Sequence, residues 1–315
     1  TTRNIAVSGT GTAASIVISG LAGFGNQRVT TSSAAQAYSI SNPSGSAPLN
    51  ITALTFAGAN PGDFAFVGLP ALPTSVGVGG SLNFSVVFTP SAAGSRAALI
   101  RVNNDNGGMP FKDTDYAISG FGTAPVISVS PVLEYNFGNQ RVGSASAPVA
   151  YTVTNTGDAP LNLRGVTLSG TNPGSFSLSG TTSGVIAPSA NVQFTVSFGP
   201  ATFGLHTATL NIDSDSAGGP AAVTLTYRDV RGTGTAPSIN VTPNIAQNFG
   251  NQRIGTASAP IVYTIQNLST TDALNVRSVA FNGTGTPAAF ALSGTLSGLV
   301  PPGNQIQFSV VFQPS

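Results

Sequence analysis

Three features of the sequence predict an all-β chain of tandem antiparallel β-sandwiches, with about seven strands per complete unit. Short segments alternate apolar and polar positions, as half-buried strands do. Turns rich in Gly, Pro and Asn separate them at intervals of roughly ten residues. A long internal repeat then divides the 315 residues into sandwich-sized pieces.

The repeat is marked by the phrase FGNQR. Its phenylalanines, Phe24, Phe137 and Phe249, are spaced by 113 (24 to 137) and 112 (137 to 249) residues. Next in each copy comes AYSISN, AYTVTN or VYTIQN, which aligns Tyr38, Tyr151 and Tyr263, and ends on Asn42, Asn155 and Asn267. Apolar stretches such as LNITALTFAG and LNLRGVTLSG follow. The clearest strand reads LNFSVVF, VQFTVSF and IQFSVVF, with one face wholly apolar and a proline-marked turn after it. AALIRVNND and ATLNIDSD alternate again, and YAISGFGTAP and RDVRGTGTAP close the first two units. Sustained helical spacing is absent. The closing and opening strands are separated by only a few residues, with a Pro that stiffens the junction, which predicts a semi-rigid rod.

These matches divide the chain at 1–13, 14–123, 124–235 and 236–315. Residues 1–13 read as the closing strand of a preceding or neighbouring unit, with Val7 equivalent to Ile118 and Val230. Residues 236–315 read as a third unit, incomplete at its C-terminal end. The pattern fits a segment of a longer tandem array. It also fits a strand from a neighbouring chain filling an open edge, although only one of the two absent strands is available for that.

Composition narrows the function. Only 7% of residues are charged, against roughly 25% in an ordinary soluble protein. Net charge is +1, and the basic residues do not cluster, so nucleic acid is not an expected partner. With no Cys there is neither a disulfide framework nor a thiolate metal site. No apolar run reaches the length of a membrane span. The single lysine, Lys112, lies in MPFKDTD, a setting that suits neither a Schiff base nor a phosphate loop.

No catalytic, cofactor or metal site is expected. His206 is the only histidine and lacks a partner His or Cys, so it reads as a surface or interface side chain. Glu134 is the only glutamate, and the pair Asp113/Asp115 occurs in one unit only, which speaks against glycosidase chemistry. NNDNGG and DSDSAGG place Asp105, Asp213 and Asp215 where calcium could sit, but no acidic residue closes the loop, and Asx-Gly turns look the same. FNGTGTPAAF has neither the lysine nor the helix of a phosphate loop. Asn50, Asn83 and Asn240 head N-x-S/T triplets.

Arg28, Arg141 and Arg253 recur while nearly every other charge does not. They could form a ligand-binding ladder, or each could satisfy carbonyls or an Asp near a domain end. The second reading predicts that Arg28 approaches Asp105 and Arg141 approaches Asp215, or the loops holding them. The structural motif is then Phe24, Gly25 and Arg28, with Phe137, Gly138, Arg141, Phe249, Gly250 and Arg253 as its copies: Phe for the core, Gly for a bend, Arg for the domain end.

The run FGNQRVGSASAPVAYTVTNTGDAPLNL, with GSFSLSG, VQFTVSFGP, ATLNIDSDSAGGP and GTGTAP, resembles the bacterial choice-of-anchor D type repeat. It is similar also to the wider group of immunoglobulin-like domains named for ASPM, SPD-2 and Hydin. The resemblance implies Ig-like sandwiches and, in bacteria, a large secreted or surface-attached protein; eukaryotic relatives sit in cilia and centrosomes. It carries over no catalytic residues. The expectation is a non-enzymatic, extracellular or cell-surface structural protein, such as a filament, stalk or adhesin. Its expected partners are copies of itself or adjacent Ig-like domains, through head-to-tail packing or strand complementation. The alternatives are a carbohydrate- or ligand-binding module of a larger secreted enzyme and an intracellular ciliary-type scaffold.

Overall fold

The computed structural model describes residues 2–219, 224–282 and 287–315. Unit 1 begins with β1 (Val17–Gly20), β2 (Gly23–Arg28), β3 (Gln36–Ser41), β4 (Leu49–Ala57) and β5 (Phe64–Val67). It continues through β6 (Thr74–Val76), β7 (Ser81–Phe88), β8 (Gly94–Asn104) and β9 (Lys112–Thr123). Unit 2 repeats the series as β10 (Ile127–Ser130), β11 (Tyr135–Arg141), β12 (Val149–Asn155), β13 (Leu161–Ser169) and β14 (Phe176–Gly180). It ends with β15 (Gly184–Ile186), β16 (Asn191–Phe198), β17 (Gly204–Ser214) and β18 (Thr224–Thr235). Unit 3 has β19 (Ile239–Thr242), β20 (Ile261–Asn267), β21 (Leu274–Val276), β22 (Phe290–Gly294), β23 (Gly298–Val300) and β24 (Gln305–Phe312).

Each complete unit is a two-sheet sandwich. In unit 1 the sheets run β1-β3-β7-β5 and β2-β9-β8-β4-β6; in unit 2 they run β10-β12-β16-β14 and β11-β18-β17-β13-β15. The fold class is the one expected, with nine strands per complete unit instead of about seven. The additions are the three-residue β6 and β15 and the FGNQR strand itself. That phrase shows no apolar alternation because it lies at a sheet edge, parallel to the closing strand. Unit 3 has the four-stranded sheet β19-β20-β24-β22 and the pair β21-β23. Residues 2–13, read as the closing strand of a preceding or neighbouring unit, form no strand within this chain.

The inward positions of both sheets fill each core. Tyr38, Ile40, Phe84, Val86 and Phe88 oppose Leu49, Ile51, Ile100, Val102 and Ile118 in unit 1, and their equivalents do so in unit 2. The glycines of GFG and GTG are required by packing. A Cβ on Gly120 or Gly232 would sit 2.4 or 2.5 Å from the ring of Phe88 or Phe198. Short 3-10 turns occur at Pro61–Asp63, Pro173–Ser175 and Pro287–Ala289. No helix of the described residues is long and apolar enough to cross a membrane.

One polar residue per unit is fully buried at the same point. Asn42, at the loop after β3, accepts the Ser15 N–H at 3.0 Å and donates to the carbonyls of Ala47 at 2.9 Å and Val76 at 3.2 Å. Asn155 accepts from Val126 at 3.3 Å and donates to Ala159 at 2.8 Å and Ile186 at 3.0 Å. Asn267 accepts from Ser238 at 3.4 Å and donates to Asp272 at 2.7 Å and Val300 at 3.1 Å. Each amide thus ties the entering linker, the loop before the second sheet and that sheet's short edge strand.

Asn155→Leu would leave these backbone groups unpaired inside unit 2. Since each buried orphan costs about 1–3 kcal/mol, the expected loss of unit 2 stability is about 3 kcal/mol or more. Urea unfolding followed by hydrogen exchange in β12 and β13 measures it; a midpoint unchanged from wild type refutes the role.

Candidate functional site

The repeated phrase builds a joint between units. Phe24 anchors it in the core, with its ring 5.5 Å from Phe64 and 5.8 Å from Phe88. Phe137 meets Phe176 and Phe198, and Phe249 meets Phe290 and Phe312, in the same way. Gly25, Gly138 and Gly250 have φ of 68°, 70° and 68°, a region that costs L-residues about 1–2 kcal/mol. In units 1 and 2 the ladder shifts register at this glycine, so a bulge re-aims the Asn, Gln and Arg that follow.

A β-turn comes next, and all three copies share it. Its closing bonds run from Thr31 N to Arg28 O at 3.1 Å, from Ser144 N to Arg141 O at 3.0 Å, and from Thr256 N to Arg253 O at 3.0 Å. The third turn residue has positive φ: Thr30 at 63°, Gly143 at 79° and Gly255 at 77°. That residue's N–H donates to the unit's own Pro90, Pro200 or Pro314 carbonyl. Each arginine therefore leaves from a rigid platform fixed to its own sandwich.

The guanidinium of Arg28 crosses to unit 2. Nη1 donates to Pro160 O at 2.7 Å, and Nη2 donates to Asp215 Oδ2 at 2.9 Å and to Gly218 O at 3.4 Å. Asp215 is only 2% exposed and uses Oδ1 to accept the Asn162 N–H at 2.8 Å. The expected partner Asp105 is thus replaced by its copy one unit ahead. Asp105 itself caps its own loop, accepting the Asn50 N–H at 2.8 Å and the Asn50 side-chain amide at 2.7 Å. Arg141 likewise reaches forward, donating to Ala273 O at 3.0 Å. Both arginines contact the carbonyl 132 residues ahead. The motif arginines therefore face the neighbouring unit.

The rest of the turn joins the contact. A Cβ on Gly219 would lie 1.7 Å from Thr30 Oγ1 and 3.1 Å from Val29 O, so the turn lies directly against that loop. The residue after the arginine tracks this packing. Val29 is 5% exposed, Val142 is half-buried, and Ile254 is 73% exposed. Covalent linkers of three residues, 124–126 and 236–238, run beside these contacts. The first is itself fastened, with Ala124 N donating to Asp158 Oδ1 at 2.7 Å and Ala217 N to Pro125 O at 2.6 Å.

The remaining polar candidates are structural ties. His206 is buried inside its own unit, not at the surface or interface position expected. Its Nδ1 lies 2.9 Å from Ser175 Oγ and its Nε2 lies 3.0 Å from Thr202 O. Because a carbonyl only accepts, Nε2 carries the proton and Nδ1 accepts from the serine. In unit 1 the same place holds the buried ion pair of Asp63 and Arg96, and in unit 3 it holds Ala289. A serine–histidine pair that alternates with an ion pair and an alanine serves to fasten the 3-10 turn to the neighbouring strand. The strand pattern gave the clue, since His206 falls in register with inward Ala208 and Leu210.

Glu134 pairs with Arg231 at 3.2 Å, and Arg101 holds Asp115 at 2.8 Å and Asp113 at 3.6 Å. Asp213 meets Arg164 at 3.2 Å. The described residues contain no group of three or more His, Cys, Asp or Glu that could hold a metal ion. Asp105 and Asp215 face N–H donors instead, the opposite of a cation's surroundings. The FNGTGTPAAF stretch lies partly outside the described residues.

Two outcomes are expected. Removing one partner of a buried ion pair costs about 3 kcal/mol or more, because the other charge is stranded. Arg28→Ala should therefore uncouple units 1 and 2, separating one cooperative calorimetric transition into two, while Arg253→Ala leaves the trace unchanged. The second concerns acid. Burial pushes the Asp63 carboxyl up, but the hydrogen bonds from Arg96 and Ser91 and the Arg96 charge outweigh it and hold the group below the usual carboxylate range. A depressed folded pKa gives stability that is present above the unfolded value, about 3.9, and is lost as pH falls through the folded one. Unit 1 should weaken below about pH 4, and Asp63→Asn should flatten that acid limb; an unaltered limb would refute the assignment.

Among known families, the HYDIN/CFA65/VesB-like Ig-like domain matches residues 125–228. No curated protein matches the chain. Similar solved structures include a protein of unknown function from Porphyromonas gingivalis W83, at 11% identity and TM-score 0.28, covering 69% of this chain and 99% of that one. The ASH/PapD-like domain 7 of human CEP192 is 12% identical with TM-score 0.28, covering 36% of this chain and 87% of that one. The Vibrio cholerae VesB protease is 10% identical with TM-score 0.28, covering 59% and 62%. Scores this low carry no argument about function. The family match and the two-sheet architecture together support an assignment of the second unit to the wider group of immunoglobulin-like domains.

Proposed function

We propose that this chain is a non-catalytic structural protein: a stretch of extracellular or cell-surface filament, stalk or adhesin built from Ig-like units in fixed succession. The observation that carries this reading is the forward-reaching arginine, which fastens unit 1 to unit 2 and unit 2 to unit 3 at the same 132-residue step. A joint rebuilt at each repeat suits a spacer that must hold its length. The low charge of the chain, 7% of residues, and its resemblance to bacterial choice-of-anchor D type repeats support the export of such a spacer. The recurring aromatics Tyr38, Tyr151, Phe84 and Phe194 lie in the cores and supply no sugar-stacking platform, so the carbohydrate-module reading gains nothing from them.

Small-angle scattering of the purified chain is expected to show a narrow distribution of maximum dimension, as for a rod. The double variant Arg28→Ala/Arg141→Ala should broaden it toward the profile of flexibly linked beads. A wild-type profile already that of flexible beads would overturn the proposal.

A further inference from the structure

One residue of the joint between units 1 and 2 sits in a backbone conformation that its type avoids. Thr30 has a φ of 63°, in the left-handed region, where a β-branched residue is an outlier. The same turn position is Gly143 in unit 2, at 79°, and Gly255 in unit 3, at 77°. Glycine holds this turn without strain. The turn itself has no need of the threonine, so its use lies in what the side chain touches.

That side chain touches unit 2. Gly219 is buried there, and a Cβ added to it would lie 1.7 Å from Thr30 Oγ1 and 3.1 Å from both Thr30 Cβ and Val29 O. The backbone does not ask for glycine at 219, because its φ lies outside the left-handed region. Glycine is needed for space alone.

Unit 1 shows that the loop itself accepts a larger residue at this place. NNDNGGMP aligns with DSDSAGGP, which sets Met109 where unit 2 has Gly219. The two loops share their backbone bonds. Asp105 N donates to Asn50 O at 3.3 Å, as Asp215 N does to Asn162 O at 3.3 Å. Gly108 N donates to Asp105 O at 2.8 Å, as Gly218 N does to Asp215 O at 3.3 Å.

From this pairing of a strained threonine with a glycine we infer that Thr30 and Gly219 form a size-matched key that decides which unit can follow unit 1. A unit with glycine before the proline of this loop docks; a unit with methionine there, as unit 1 has, does not. The inference deepens the structural role proposed above and rests on it. The Arg28 grip makes no such distinction, since it ends on a carbonyl and an aspartate, and both complete units carry that aspartate, as Asp105 and Asp215. The grip therefore holds the joint, and the key sets the order. Docking of the wrong pair is a characteristic failure of chains built from similar units, and a steric clash against the wrong partner refuses it.

The test uses the full chain in scanning calorimetry, with hydrogen exchange in β13 and β17 to follow the fold of unit 2. Gly219→Met should split the joint transition of units 1 and 2 into two, as loss of the Arg28 grip does, with exchange in β13 and β17 unchanged. Gly219→Ala, which adds only the clashing Cβ, guards against a misfolded loop and should split it too. Thr30→Gly/Gly219→Met and Thr30→Gly/Gly219→Ala should each restore the single transition, because the space is then returned from the other side. A trace that neither Gly219 variant changes, or a split that Thr30→Gly fails to repair, overturns the key. Both results leave the rod-like scattering of the wild type standing, so failure of the key is separable from failure of the structural role.

Discussion

A buried amide at the start of every unit is the constraint on which the rest depends. Asn42, Asn155 and Asn267 each hold three backbone groups that come from the entering linker, the loop before the second sheet and that sheet's short edge strand. An apolar residue at that point would leave all three unsatisfied, and a charged one would need a counter-ion that the site lacks. Its position also fixes the joint. Asn155 grips the carbonyl of Ala159, and the next carbonyl, that of Pro160, is the one Arg28 reaches. The side chain that closes a unit internally therefore also presents it to its neighbour.

Polar economy runs through the whole chain. With few charges available, two ion pairs are placed where burial makes each bond count. Arg28 and Asp215 meet at the joint, and Asp63 and Arg96 meet under a 3-10 turn. Unit 2 solves the second problem with Ser175 and His206 instead. The serine–histidine pair spans the same gap between the 3-10 turn and the neighbouring strand with fewer bonds, so two chemistries occupy one position without altering the fold. Surface ion pairs such as Arg101 with Asp115 contribute little by comparison, because water screens them.

Much of this was legible in the sequence. The alternating strands, the unit period, the core phenylalanines and the recurrent Asn were all visible, because each reflects a local or periodic requirement. The two parallel edge strands were not, since β2 and β11 carry a Gly bulge and polar residues where an inward-facing strand would alternate. The target of the arginine is hidden for a different reason. A repeat shows that Arg28 and Asp105 recur together, yet it cannot distinguish a partner in the same unit from that partner's copy in the next. Arg28 and Asp215 are 187 residues apart, and only the short linker between units brings them together. His206 shares the inward register of Ala208 and Leu210, but its occurrence in one unit only hides a structural position that other residues fill in the other units.

The parallel pairing of β2 with β9 sets Arg28 beside Thr123, the last residue before the linker, and pairs Arg141 with Thr235 in the same way. Two adjacent strands thus leave each sandwich pointing the same way, one continuing as peptide and the other ending in a guanidinium grip. A single tether allows a body to swivel about the tether's axis. Two attachments side by side remove that freedom, so twist applied to one unit is transmitted to the next instead of being dissipated at the junction.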